Sequence, residues 1–230
     1  YDDELNVNRG MIKLMNMIAD YQEKNDVEFR LRGFVKAELF NEEQARAMRR
    51  AGFRWLLTGF ESGDKKILKN IKKNATIDDN TRCVETAKNN GLKVKALMSV
   101  GHAGESHETI ENTKKWLLKV EPEEFDCTVI TVYPGSPYFD DAKLLDNIYV
   151  YEDKTNGNRL YQSPIDYLKE LDYYKGDPDG GYVSYVWTDY ISAQDIVKER
   201  DKLENEVRTK LSIPFNRSHP GIVYEHSMGM

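Results

Sequence analysis

Four times between Gly10 and Val132, a segment with helical spacing of apolar residues gives way to a short run rich in apolar and β-branched ones. This alternation constrains the fold more than any other feature of the chain. Strands separated by helices are joined by crossovers, and crossovers place successive strands parallel in one sheet with right-handed connections. An α/β fold is expected, as an open doubly wound sheet or as part of a barrel.

From Gly10 to Lys24, Met11, Met15 and Ile18 recur at helical spacing among Lys13, Asp20 and Glu23, the pattern of an amphipathic helix. Val27 to Val35 reads as a strand, with Phe29 and Leu31 on one face and Arg30 and Arg32 on the other. Asn41 with Gln44 forms a capping-box signature, and Gly52 is a stop signal. Phe53 to Phe60 is the next strand, and Asp64 to Ile71 and Thr76 to Gly91 read as helices. Lys93 to Val100 alternates Val94, Ala96, Met98 and Val100 against Lys93, Lys95 and Ser99. Ser106 or His107 opens a helix that stops at Pro122, and Phe125 to Val132 is the last strand of the series. A further strand is expected to end at Tyr1-Asp2-Asp3.

Three of these strands run out into Gly59-Phe60-Glu61-Ser62-Gly63, Gly101-His102-Ala103-Gly104-Glu105 and Tyr133-Pro134-Gly135-Ser136-Pro137. Small and polar residues at several strand carboxyl ends are how a parallel barrel lines a site, whereas an open sheet concentrates its site at one switch point. Glu61 and Ser62 put a carboxylate and a hydroxyl beside flexible backbone, which suits ribose hydroxyls and an amino-acid head group. Ser62 or Asp64 could equally cap the following helix. Lys72-Lys73 falls at a helix end, where cations also suit the macrodipole. His102 reads as a solvent-exposed turn histidine, with a proton shuttle as the alternative, and Glu105 as a brace for its loop or the next helix. Pro134-Gly135-Ser136-Pro137 is also simply a rigid turn.

In order and context the three motifs resemble the second half of a radical S-adenosylmethionine (SAM) barrel. Gly101, Gly104 and Glu105 match that family's Gly-x-Pro-Gly-Glu pattern at the fifth strand, with Ala103 in place of proline. Tyr133 to Pro137 resembles the sixth-strand ending, and Tyr1-Asp2-Asp3 resembles the Asp-Asp of the cobalamin-binding branch. The resemblance covers about Tyr1 to Ala142 and implies a partial (β/α) TIM-like barrel, about strands two to six. It implies an enzyme that cleaves SAM reductively at a four-iron (4Fe-4S) cluster to a 5′-deoxyadenosyl radical, with an electron donor and a small-molecule substrate. Cobalamin is left open. The residues it places at SAM are Asp3 near the amino group, Glu61 and Ser62 at the ribose and methionine moiety, and Lys73 near the carboxylate. Ser99 and Gly101 would approach the nucleoside, and the backbone of Val132 and Tyr133 the adenine.

That family holds its cluster on a Cys-x-x-x-Cys-x-x-Cys loop, and this chain has only Cys83 and Cys127, one in an expected helix and one in a strand. Both read as core thiols, and no metal ligand or catalytic residue is assigned. The chain is expected to be the carboxyl-terminal part of such a barrel, missing its amino-terminal segment and inactive alone.

From Lys143 to Met230 the character changes to an α+β extension crowded with tyrosines, among them Tyr149, Tyr151, Tyr161, Tyr167, Tyr173, Tyr174, Tyr182, Tyr185 and Tyr190. Asp177-Pro178-Asp179-Gly180-Gly181 is turn chemistry. Ser192 with Asp195 starts a long helix whose Ile196, Leu203, Val207 and Leu211 share a face. Tyr224-Glu225-His226-Ser227-Met228-Gly229 gathers an acid, a base and a hydroxyl with no assigned role.

A net charge of -6 does not favour nucleic acid, and Arg46, Arg49, Arg50 and Arg54 read as a solvated helix face. No apolar run approaches the ~18 residues of a membrane helix, and two cysteines without metal spacing suggest a cytoplasmic setting. Nucleophile-elbow, phosphate-loop and zinc-helix motifs are absent. The rival reading is a non-catalytic binding or assembly module on a degenerate barrel, whose cut sheet edge would favour self-association.

Overall fold

The computed structural model describes residues 4–167 and 183–214. Local chemistry sets the ends of its first helices. In α1 (Met11–Asn25) the buried residues Met11, Met15, Ala19 and Gln22 follow a 3.6-residue period. The Asn41 side chain accepts the Gln44 N–H and the Gln44 side chain the Asn41 N–H, which opens α2 (Glu42–Arg50). Asp64 caps α3 (Lys65–Asn70) by accepting from the Lys66 and Ile67 N–H groups. Thr76 and Asp79 form a second capping box at α4 (Ile77–Asn89). These helices, with α5 (His107–Val120), alternate with β1 (Leu31–Phe34), β2 (Phe53–Glu61), β3 (Lys93–Val100) and β4 (Glu124–Val129).

The four strands form a parallel sheet in the order β1-β2-β3-β4, with Leu31 beside Phe53 and Phe34 beside Leu57 in the first pair. A doubly wound sheet reverses its strand order at a switch point, whereas a barrel adds each strand beside the last. The sequential order is that of a barrel segment, and the fold is a partial TIM-like barrel.

Two strands are shorter than their sequence patterns. The first begins at Leu31 rather than Val27, because the Gln22 side chain takes the Phe29 N–H at 2.6 Å and the Phe29 ring stacks on Tyr21. Arg30 is thereby left outside the strand, largely exposed beside Glu28. The last ends at Val129 rather than Val132, where the Val132 carbonyl is taken by the Tyr167 hydroxyl at 2.9 Å.

The described residues group into two compact units. One comprises residues up to Phe60 with Asn74–Met98 and Lys119–Asp126. Its core contains Met15, Phe40, Met48, Leu56, Phe60, Val84, Leu92 and Phe125, all buried. The other comprises Glu61–Lys73, Ser99–Leu118 and residues from Cys127 on. Within it lie the short helix α6 (Pro137–Asp140) and a four-stranded sheet of β5 (Lys143–Leu145), β6 (Ile148–Glu152), β7 (Arg159–Gln162) and β8 (Val186–Thr188). Neighbouring strands of that sheet are antiparallel. Tyr151, Leu160 and Val186 are buried in it, and Tyr161 stacks on Trp187.

The final described helix, α7 (Ala193–Leu211), opens with the Ser192 hydroxyl accepting the Asp195 N–H. It buries Ile196, Leu203 and Val207, while Leu211 is only partly covered. Arg200 Nε donates to the Cys127 carbonyl at 2.6 Å, and Glu204 Oε1 accepts the Cys127 N–H at 2.7 Å. Side chains of α7 thus serve the backbone of β4, the last strand in the sheet order, much as a further strand would. Among the described residues no helix is long and apolar enough to cross a membrane. Asp3, Tyr173, Tyr174, Tyr182, the Asp177 to Gly181 turn and the Tyr224 to Gly229 tail lie outside the described residues.

Candidate functional site

Glu61 is the last residue of β2 and adopts φ 65°. Left-handed backbone is uncommon for a residue with a side chain and clusters at ligand sites. Its Oε1 lies 3.4 Å from Lys73 Nζ, and its Oε2 accepts the Ser99 hydroxyl at 2.9 Å. The Glu61 and Lys73 side chains keep 32% and 27% exposure, so both charged ends stay within reach of a ligand. Ser99 Oγ is in turn 2.8 Å from His102 Nε2. Strand end, helix-end lysine and turn histidine converge in one chain of contacts from Lys73 through Glu61 and Ser99 to His102.

His102 corrects the sequence reading. Instead of a solvent-exposed turn residue it is 8% exposed, its ring 6.2 Å from that of Tyr138. Burial holds its pKa down to about 4, against the opposing pull of Glu61. Its Nδ1 is buried with no hydrogen-bond partner.

The turn from Gly101 to Glu105 is held at several of its polar backbone atoms. Glu105 Oε2 accepts the Gly101 N–H at 3.0 Å, and the Glu105 N–H donates to the His102 carbonyl at 2.9 Å. Asn70 Nδ2 donates to the Ala103 carbonyl, Lys66 Nζ to the Gly104 carbonyl and Thr188 Oγ1 to the Glu105 carbonyl. Asn156 Nδ2 reaches Asn70 Oδ1 at 2.8 Å, tying the β6–β7 turn to the same loop. The brace expected of Glu105 is therefore present, and it is reinforced from sequence positions that no local motif indicates.

Gly104 sits at φ +83°, and an added Cβ would meet Asn70 Nδ2 at 2.6 Å and Asn158 Cγ at 3.0 Å. Gly135 has a similar φ of +88° and open space around it. Gly104→Ala is expected to lower unfolding free energy by about 2–3 kcal/mol and Gly135→Ala by about 1 kcal/mol, the difference being crowding rather than backbone strain. Urea midpoints of the two variants check this, and equal losses would refute the clamp.

Ser62 is 1% exposed, and its hydroxyl is engaged by Thr113 Oγ1 at 3.1 Å and by the Asp64 N–H. The Val132 carbonyl accepts from Tyr167 and, at 3.4 Å, from Gln162. The Tyr133 ring lies 5.4 Å from that of Tyr167 and is 37% exposed.

The carboxylate acceptor of Glu61 and the donors of Lys73 and Ser99 fit a zwitterionic amino-acid head joined to a ribose diol, while Gly101, at φ +95°, is buried with its N–H held by Glu105. The cysteines do not fit a cluster. Cys83 and Cys127 are both buried, and burial pushes the Cys83 thiol up to about 12. Among the described residues no group of three or more His, Cys, Asp or Glu side chains could hold a metal ion.

An uncharacterized methyltransferase of Pyrococcus horikoshii is 33% identical over 101 residues, which is 44% of this chain and 22% of that protein. An anaerobic magnesium-protoporphyrin IX monomethyl ester cyclase of Rubrivivax gelatinosus is 29% identical over 114 residues, 50% of this chain and 20% of that protein. The chain thus spans about a fifth of the length of these curated relatives. The radical SAM methyltransferase TsrM of Kitasatospora setae, solved with cobalamin and a 4Fe-4S cluster, shares the fold. It superposes at a TM-score of 0.58 and 18% identity over 69% of this chain and 33% of TsrM. The profile of the Radical SAM superfamily matches residues 2–117, and with half the chain so covered this protein belongs to the radical SAM superfamily.

Proposed function

We propose that these residues form the SAM-holding part of a radical SAM enzyme, whose intact form cleaves SAM reductively to start radical chemistry on a small-molecule substrate. The observation that carries this reading is the half-exposed Glu61–Lys73 pair at the left-handed end of β2, with Ser99 on the same carboxylate. Cluster and SAM together supply the reductive bond cleavage when bound, with electrons from a separate donor. The chain's own residues bind and orient. Glu61 accepts from the ribose hydroxyls or the SAM ammonium, Lys73 meets the SAM carboxylate, and Ser62 lends backbone groups. Gly101 lets main chain approach the nucleoside, and Val132 and Tyr133 present main chain to the adenine. Asp3 would stand near the SAM amino group. Fixing the reacting carbon while excluding water is the protein's usual share of cofactor chemistry.

The 230 residues are in this reading a cytoplasmic piece of the enzyme, residues 1–142 the partial barrel and 143–230 its extension. The three cluster cysteines lie on a preceding segment, and the piece is inactive alone. The test is a calorimetric SAM titration of the full-length protein with its cluster reconstituted, beside the 230-residue chain. Glu61→Ala and Lys73→Ala are each expected to weaken binding to the full-length protein by about 10- to 100-fold, the worth of one charge-assisted hydrogen bond. Unchanged affinity in both variants, or SAM cleavage by the 230 residues alone, would overturn the reading. No binding to either protein would instead favour the assembly module. A parallel titration with cobalamin asks whether the protein belongs to the cobalamin-using branch.

A further inference from the structure

We infer that His102 is a positioning residue, a neutral imidazole whose Nε2–H orients Ser99 so that the Ser99 hydroxyl is donated to Glu61. This deepens the SAM reading by adding a residue that acts on Glu61 from behind. Two independent observations fix the tautomer. A serine hydroxyl carries one proton. With the Glu61 carboxylate paired to Lys73, that proton goes to Glu61 Oε2 at 2.9 Å, so the contact of 2.8 Å between Ser99 Oγ and His102 Nε2 requires Nε2 to be the donor. The other ring nitrogen, Nδ1, is buried without a partner. Orphaned buried N–H groups are rarer than bare acceptors, so Nδ1 is the lone pair and Nε2 again carries the hydrogen.

The consequence is a fixed direction along the chain, His102 to Ser99 to Glu61. With Oε2 held by Ser99, Glu61 keeps Oε1 and its remaining lone pairs for Lys73 and a ligand. Burial of the imidazole keeps it neutral through the physiological range, so the direction does not reverse as pH changes.

The test separates this arrangement from the SAM reading. In the full-length protein, the ¹⁵N imidazole signals of His102 are assigned by their loss in a His102→Gln variant and followed between pH 5 and 8. The proposal expects an Nε2–H tautomer without titration. An Nδ1–H tautomer, or a charged ring near neutrality, would overturn it, whatever happens with SAM. The second arm uses side-chain length. A glutamine amide can reach the place of Nε2, whereas an asparagine amide reaches only the place of Nδ1. His102→Gln is therefore expected to keep SAM affinity within about threefold, while His102→Asn, His102→Phe and Ser99→Ala each lose about tenfold. Equal losses in the Gln and Phe variants, with matching far-ultraviolet circular dichroism, would overturn the positioning role. If wild-type protein fails to bind SAM, the SAM reading falls, and the tautomer alone decides whether His102 orients Ser99.

Discussion

Glu204→Ala should lower unfolding free energy by about 3–5 kcal/mol, the usual consequence of removing one partner from a buried ion pair. Glu204 is 3% exposed on α7. Its Oε1 accepts the Cys127 N–H and lies 3.8 Å from Arg200, while its Oε2 accepts Arg208 Nε at 2.6 Å. Arg200 and Arg208 are themselves buried. Alanine would take the carboxylate from the Cys127 N–H and from two buried guanidinium groups at once. The comparison is Glu206→Ala on the same helix, whose pair with Lys114 is part-exposed and whose loss should cost far less. Urea denaturation at neutral pH measures both, and losses of equal size would sink the argument. A second expectation separates backbone service from charge pairing. Buried ion triads can often be replaced by apolar side chains of similar volume with little loss. Here the triple change to Met at Arg200, Leu at Glu204 and Met at Arg208 should stay destabilised, because the Cys127 N–H and carbonyl would have lost the groups that serve them.

That helix also shows where sequence pattern stops. Ile196, Leu203 and Val207 are legible as a buried face because apolar residues at helical spacing carry their own explanation. Arg200 and Glu204 lie among them, yet a charged residue reads as solvated until the chain it covers is known. Capping is legible for the opposite reason. Asn41 with Gln44, Thr76 with Asp79 and Ser192 with Asp195 act within three residues. Strand length is less legible, since the Gln22 side chain removes Phe29 from the first strand and Tyr167 engages Val132 beyond the last. At the candidate site the sequence marks Glu61, Lys73 and Ser99 individually, and the fold gathers them into one contact chain. It misplaces His102 because the ring that helps cover it belongs to Tyr138, after a whole helix and strand.

Glu105 makes the stability of the chain fall as pH rises from about 4.5 to 7. The carboxyl is buried at 1% exposure, and burial pushes its pKa up to about 7 despite the hydroxyl of Thr109 and the backbone N–H groups of Gly101 and His102. Unfolded, it returns to its ordinary value of 4.5. Below 4.5 both states hold the proton and the group is silent. Between 4.5 and 7 the folded chain keeps a proton that the unfolded chain releases, so folding loses ground with each step of pH, and above 7 the loss is complete. The shift corresponds to about 3 kcal/mol. Glu105→Gln should remove this slope without breaking the loop. Its carbonyl can accept the Gly101 N–H and its amide can donate to Thr109 Oγ1, whose own hydrogen then serves the Ser106 carbonyl at 2.9 Å. The check is the difference in unfolding free energy between wild type and Glu105→Gln from pH 4.5 to 8. It should grow by about 3 kcal/mol in favour of the glutamine, and parallel profiles would show that this carboxyl is ionised throughout. The same proton matters for the site, since a neutral Glu105 leaves Glu61 and Lys73 as the charges presented there. Ionisation above pH 7 would put an unpaired negative charge beneath the loop that Gly101 begins. SAM affinity should accordingly weaken above pH 7 in wild type and stay level in the glutamine variant.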